Sequence, residues 1–259
     1  MQRRVVSVCL AGAVFLAACA VPPQESTAPE QQTLIDELVL ANRILANEGV
    51  LDGYGHVSVR SPSNPSHYLL ARAGAPALVR AADIVEYDLD SRPLTNTSAI
   101  GYSERFIHGE IYKVRSDVMA VVHCHCPEVI PFGATSAPMQ PMYHMGYFIG
   151  EGVPVFDIRK TAGITDMLVS SAELGRALAQ TLENRSAVLM RGHGAAVVAG
   201  SLHAVAGKAY YLNLNARLQL AALQLGGGTV TYLDSEEAKK ATQNYERSWD
   251  FWKSRLPSQ

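Results

Sequence analysis

The residues best suited to chemistry lie in Ala120-Val121-Val122-His123-Cys124-His125-Cys126-Pro127. An apolar run leads in and Pro127 closes it, the pattern of a short buried strand. Side chains alternate along a strand, so His123 and His125 point one way and Cys124 and Cys126 the other. Two imidazoles on one rigid face, about 7 Å apart by strand rise, can grip one metal ion. A His-x-His pair alone is a weak signal, but Ser103-Glu104 precedes it, the glutamate nineteen residues before His123. Far downstream, Val188-Leu189-Met190 breaks into Arg191-Gly192-His193-Gly194. The flanking glycines let the backbone turn sharply and leave His193 at a strand end. Three histidines and a carboxylate make a ligand set for zinc or another first-row divalent ion. Such an ion, bound to a substrate oxygen, stabilises negative charge developing there. Carbon–carbon cleavage beside a carbonyl needs that stabilisation, because the electrons of the broken bond pass into an enolate. Aldol cleavage and decarboxylation share this requirement.

The elements that must position these residues are legible in outline. Thr33 to Gly49 carries apolar residues at helical spacing, with Gly49 as its end. Gly53-Tyr54-Gly55 turns into a strand that places Val57 and Val59 on one face and His56, Ser58 and Arg60 on the other. Residues 67–71, 84–89, 153–156 and 187–190 read as further strands. Glu104 to Val114 reads as a helix with Ser103 as N-cap. That puts Glu104 in the first turn, where the helix dipole favours its ionised form. His108 and Glu110 on this helix are expected in solvent or structural roles. Helices are expected over Ser170–Leu182, Leu202–Leu225 and Ser235–Trp252. Trp249 and Trp252 are expected to dock the last one on another subunit or on the body. His203 is expected to be structural. Cys124 and Cys126, two apart on a strand, would strain a mutual disulfide and read as buried free thiols. Thiolate ligation of a metal is the lesser alternative.

Gly55-His56-Val57-Ser58, Ser103-Glu104, His123-Cys124-His125 and His193-Gly194, in that order and spacing, resemble the class II aldolase/adducin family. The resemblance spans residues 33–226. It implies a three-layer α/β/α domain around a mixed, mostly antiparallel sheet, assembled as a homotetramer. It implies that His123, His125 and His193 hold Zn2+ or Mn2+. Glu104 then completes the shell or swings away as acid/base. It places His56 and Ser58 along the substrate pocket, and gives Tyr143 or His144 the part of proton donor in a neighbouring subunit's site. The sugar-phosphate aldolases of the family carry Asn where this chain has His56, and Ser where it has Tyr102. The surrounding residues look more like the branch of decarboxylases acting on hydroxy-aromatic dicarboxylates and carboxy-hydroxymuconic semialdehydes. The expected partner is therefore a small carboxylated hydroxy-carbonyl compound, with Arg60 or Arg191 pairing its carboxylate. Alternatives are an aldolase or epimerase on an unphosphorylated substrate, a non-catalytic adducin-like module, and a metal-binding protein without chemistry.

The ends of the chain carry different information. Arg3-Arg4 followed by the apolar Val5–Ala18 is too short to span a bilayer as a helix and reads as a signal peptide over residues 1–19. Leu16-Ala17-Ala18-Cys19 looks like a bacterial lipoprotein box with Cys19 lipidated, which implies export to the periplasmic side and attachment to the membrane by lipid alone. Residues 20–32, rich in Pro, Gln and Glu, read as a flexible linker, and residues 227–259 as a helical extension. The remaining chain is long enough for one sizeable domain. A formal net charge of −2, with no basic cluster after the leader, argues against nucleic acid as a partner.

Overall fold

The apolar runs meet in one sheet of seven strands, ordered β3-β2-β1-β4-β7-β6-β5. The computed structural model describes residues 28–94, 98, 100–150 and 152–257. The strands are β1 (His56–Arg60), β2 (His67–Ala71), β3 (Ile84–Asp88), β4 (Ala120–Cys124), β5 (Val155–Phe156), β6 (Ala187–Met190) and β7 (Gly194–Ala199). Every neighbouring pair is antiparallel except β5 on β6. The sheet is therefore mixed and mostly antiparallel, as the family resemblance implies.

Helices cover both faces, which is why β4 and β7 are buried at every residue and read as continuous apolar runs. Val57, Val59, Val122, Cys124 and Val197 face one layer, made of α1 (Ala28–Asn47), α4 (Leu202–Leu225) and α5 (Glu246–Ser254). Tyr68, Leu70, Val121, Val188 and Val198 face the other, made of α2 (Arg105–Val114) and α3 (Ala172–Leu182). Alternate residues of each strand serve opposite layers. The result is a three-layer α/β/α domain.

Several boundaries differ from the sequence reading. The linker expected over 20–32 gives way to helix at Ala28. Pro29 is pre-organised for a first helical turn, Glu30 favours the positive end of the dipole, and the Thr33 hydroxyl donates to the Pro29 carbonyl at 3.0 Å. Residues 1–19, expected to be a signal peptide with Cys19 lipidated, lie outside the described residues. The single helix expected over Ser235–Trp252 is broken into Ser235–Lys240 and α5. Each part has its own start. Asp234 accepts from the Glu236 and Glu237 amides, and Asn244 accepts from the Glu246 amide at 2.8 Å. The tryptophans dock this end on its own body: Trp249 stacks on His203 at 4.1 Å and Trp252 packs on Tyr210 at 4.8 Å. β7, which the sequence reading omits, inserts between β4 and β6 and supplies the far side of the site. Among the described residues, no helix is long and apolar enough to cross a membrane.

Candidate metal centre

The site forms where β4 ends beside the β6–β7 hairpin. β4 delivers His123 from the middle of the sheet, and His125 follows one residue past the strand's end. The hairpin turn Arg191-Gly192-His193 delivers the third imidazole, with Gly192 at φ 65° where a side chain would be strained. Gly194 then lies so close to β4 that an added Cβ would stand 2.0 Å from the Cys124 carbonyl oxygen. This close approach brings His193 alongside His125. Glu104 comes from the mouth of α2.

One ligand atom from each of Glu104, His123, His125 and His193 lies within 4.8 Å of all the others. His125 Nε2 stands 3.1 Å from both His123 Nε2 and His193 Nε2. Glu104 Oε2 is 3.3 Å from His123 Nε2 and 3.5 Å from His193 Nε2. The far side of each ring fixes its tautomer. His123 Nδ1 donates to the Ala195 carbonyl at 3.1 Å, His193 Nδ1 to the Met167 carbonyl at 3.0 Å, and His125 Nδ1 to the Asp52 carboxylate at 3.0 Å. A carbonyl can only accept, so the Nδ1 protons are assigned and the Nε2 lone pairs turn inward. Glu104 Oε1 is held by the Val169 amide at 2.9 Å, which leaves Oε2 facing the imidazoles. Three lone pairs and a carboxylate oxygen thus face one another at contact distance. A divalent cation satisfies all four at once, so the donor set fits zinc or manganese.

The electrostatics support an anionic, nitrogen-rich cage. Burial works to raise the Glu104 carboxyl, but its bonds to His123 and His193 outweigh burial and hold it well below the usual range. Burial lowers His193, and the Glu104 carboxylate more than reverses this. Burial and the neighbouring His123 lower His125 despite Asp52. Ser103 does not act as the expected N-cap. It is exposed, and Glu104 itself holds the cap position with its side chain turned to Val169 rather than to its own helix.

The other site residues expected from sequence fare differently. His56 pairs with His123 across β1–β4, and their rings are 5.2 Å apart. Ser58 lies two pairs deeper, beneath α2, bonded to His108 and Tyr112. Arg60 shares their face but not their depth. Four residues along a strand from His56 is about 13 Å. There its guanidinium donates to the carbonyls of Val118, Pro65, Tyr112 and Arg115, with 5 % of the residue exposed. It closes a loop cluster, with its guanidinium committed to these carbonyls. Arg191 binds Asp157 through Nε at 2.8 Å and keeps 28 % of its side chain exposed. Tyr143 and His144 pack together at 5.7 Å. His144, which is exposed, borders a recess with Tyr211 and the segment leading into α5. The structure does not bring either into the metal group of its own chain.

His108, expected to be surface or structural, is fully buried behind His56. Glu110 is buried and paired with Lys113 at 2.6 Å. Cys124 and Cys126 form a disulfide rather than free thiols. The strand ends at Cys124, and the turn toward Pro127 brings the two Cα atoms to 5.5 Å, inside the normal range, where a continuing strand would keep them about 6.6 Å apart. Sequence reasoning missed Asp52, the acceptor behind His125. Its position before Gly53 gave the only signal, and that signal reads as an ordinary turn.

Comparison with known proteins decides the family. Residues 36–220 match the class II aldolase and adducin N-terminal domain. The chain belongs to that family. It is 36 % identical over 235 residues to the decarboxylase tropJ of Talaromyces stipitatus, covering 81 % of this chain and 88 % of that one. It is 31 % identical over 221 residues to the 3,4-dihydroxyphthalate decarboxylase of Arthrobacter keyseri, covering 79 % and 84 %. The fold is shared with an aldolase II superfamily protein from Pseudomonas syringae, with TM-score 0.74 at 22 % identity over 89 % of this chain and 94 % of that one. Decarboxylases among the relatives support a carbon–carbon lyase.

Proposed function

We propose that this chain is a divalent-metal-dependent decarboxylase of a hydroxy-aromatic dicarboxylate or a carboxy-hydroxymuconic semialdehyde. The observation that carries the reading is the convergence of Glu104, His123, His125 and His193, with every Nε2 turned inward by a fixed Nδ1–H bond. These four residues would hold Zn2+ or Mn2+. When bound, the ion supplies Lewis-acid stabilisation for the electron pair left behind by the departing carboxyl carbon.

The chain's own residues account for the rest. Arg191 is tied down through Nε alone, and its two Nη groups suit a fork to a substrate carboxylate. Tyr102 stands where the sugar-phosphate aldolases carry Ser, and its hydroxyl is committed to the Gly74 carbonyl at 2.5 Å. With His56 in place of Asn beside it at 4.3 Å, this wall is aromatic and differs from the Asn/Ser pair of the sugar-phosphate aldolases. The names of the curated relatives point the same way. In the reaction the carbon–carbon bond breaks, CO2 leaves and the ring carbon takes up a proton. Tyr143 or His144 of a neighbouring subunit in a homotetramer would deliver that proton, or Glu104 would act as acid/base. Export as a Cys19-linked lipoprotein facing the periplasm belongs to the same proposal.

The test is to incubate purified, metal-loaded protein with hydroxylated phthalates and follow CO2, and with sugars and follow aldehyde. CO2 from the aromatic acids alone is expected. Glu104→Gln should keep most of its metal and lose turnover, and His123→Ala should lose both. Full metal and full activity in His123→Ala would overturn the reading. Aldehyde from sugars without CO2 would replace it with an aldolase.

A further inference from the structure

Behind the metal centre runs a line of buried polar groups that ligand binding does not account for. His56 Nδ1 lies 2.7 Å from His108 Nε2. His108 Nδ1 lies 2.6 Å from Ser58 Oγ, and Ser58 Oγ lies 2.8 Å from the Tyr112 hydroxyl. His56 and Ser58 come from β1, and His108 and Tyr112 from one face of α2, four residues apart. All four residues are at most 2 % exposed. No carboxylate hydrogen-bonds any of them among the described residues.

The line has a direction, and the tyrosine sets it. Among the described residues the Tyr112 hydroxyl has one hydrogen-bonding side chain, Ser58. The Val121 backbone also bonds it and lowers its pKa, as an N–H donor does, so the Tyr112 proton is left to Ser58 Oγ. The Ser58 proton then has one acceptor left, His108 Nδ1. That places the His108 proton on Nε2, where it is donated to His56 Nδ1. His56 in turn carries its own proton on Nε2. Reversing the line would leave the Tyr112 hydroxyl buried without an acceptor, at a cost of about 1–3 kcal/mol. That cost makes the reversed form the minor one.

We propose that His108, Ser58 and Tyr112 are positioning residues that lock His56 in the Nε2–H tautomer, so that His56 donates a hydrogen bond to a substrate oxygen beside the metal centre. His56 Nδ1 is taken by His108, so Nε2 is the nitrogen left for a substrate; the residue is 1 % exposed and its ring lies 5.2 Å from that of His123. An imidazole this close to a ligand histidine would compete for the cation if its Nε2 bore a lone pair. The relay prevents this and makes it a donor, suited to a carboxylate or phenolate oxygen. The identity of that oxygen rests on the decarboxylase reading, whereas the tautomer does not.

Nitrogen NMR of the histidine rings in the full-length protein, assigned with His56→Gln and His108→Gln, tests the tautomer without any substrate. The expected result is a protonated Nε2 and a bare Nδ1 on both His56 and His108. A proton on His56 Nδ1 overturns the proposal, whatever the protein catalyses. Tyr112→Phe removes the group that sets direction. It should give mixed His56 tautomers, unchanged metal content, and a KM for a hydroxylated phthalate raised about tenfold with a smaller change in kcat. A variant that keeps the single wild-type tautomer also overturns it. Should Tyr112→Phe not fold, the wild-type spectrum alone still decides. If the tautomers are as expected and no phthalate is decarboxylated, the functional reading fails and the relay stands.

Discussion

Asp52→Asn isolates the outermost support of the metal centre. Asp52 Oδ1 accepts from the Tyr54 and Gly55 amides at 2.9 and 3.0 Å, and Oδ2 faces His125 Nδ1 at 3.0 Å. Asparagine can keep Oδ1 on the two amides, so the turn into β1 survives. Its NH2 then replaces Oδ2 and confronts the His125 Nδ1–H, donor against donor. His125 relieves the conflict by moving its proton to Nε2, and in that form it cannot ligate. The loss is one charge-assisted hydrogen bond behind one ligand, about 1.5–3 kcal/mol in a dry setting. Asp52 is 47 % exposed, so the lower half of that range applies. About 1.5–2 kcal/mol corresponds to a metal affinity weakened roughly ten- to thirtyfold, within the span typical of groups that orient metal ligands. Competition of the purified protein against a chromophoric chelator measures this directly, with thermal melting of the metal-free form as a control on the turn. Affinity within twofold of wild type would refute the argument that Asp52 holds His125 in its ligating tautomer.

Gly194→Ala should open the β4–β7 pairing beside His193, because the new Cβ would meet the Cys124 carbonyl oxygen at 2.0 Å and neither backbone can yield cheaply. A loss of about 3 kcal/mol, the upper end for overpacking, and a substoichiometric metal content are expected from denaturant unfolding and elemental analysis. Wild-type values for both would show that the close approach is dispensable. Stability should also fall on acidification through His108. Burial keeps it neutral in the folded protein down to about 3, whereas the unfolded chain takes up a proton below its ordinary value of 6.5. The unfolded state thus binds the extra proton between those values, so stability rises with pH across that window and is lost as pH falls through it. At about 1.4 kcal/mol per unit, His108 accounts for roughly 3 kcal/mol between pH 6.5 and pH 4. The unfolding free energy of metal-free wild type should drop more steeply there than that of His108→Gln, and parallel slopes would contradict the assignment.

What the sequence discloses about the site follows from periodicity, and what it conceals follows from register. A period of two puts His123 and His125 on one face, and His56, Ser58 and Arg60 on one face, from local geometry alone. Depth along the strand depends on a partner about 60 residues away, and nothing local encodes it. In the antiparallel pairing His56 falls opposite His123, Ser58 opposite Val121, and the Arg60 amide reaches the Met119 carbonyl at the far edge. One face therefore carries three fates: a side chain beside the ligands, a relay beneath α2, and a clamp on loop carbonyls. The same limit hid Asp52 and His108. Each is defined by what stands across from it, His125 for one and His56 for the other. Glu104 was legible for a different reason. Its position at the mouth of a helix is a local property, although the helix then used Glu104 rather than Ser103 as its cap. Ligands brought by a strand parity or a helix end can be read from a single chain. The acceptors that fix their tautomers cannot, because two of the three are backbone carbonyls, of Ala195 and Met167, whose usefulness comes from position and not from residue type. Substitutions at Ala195 or Met167 should accordingly be tolerated wherever the backbone keeps its place, while Asp52 should not.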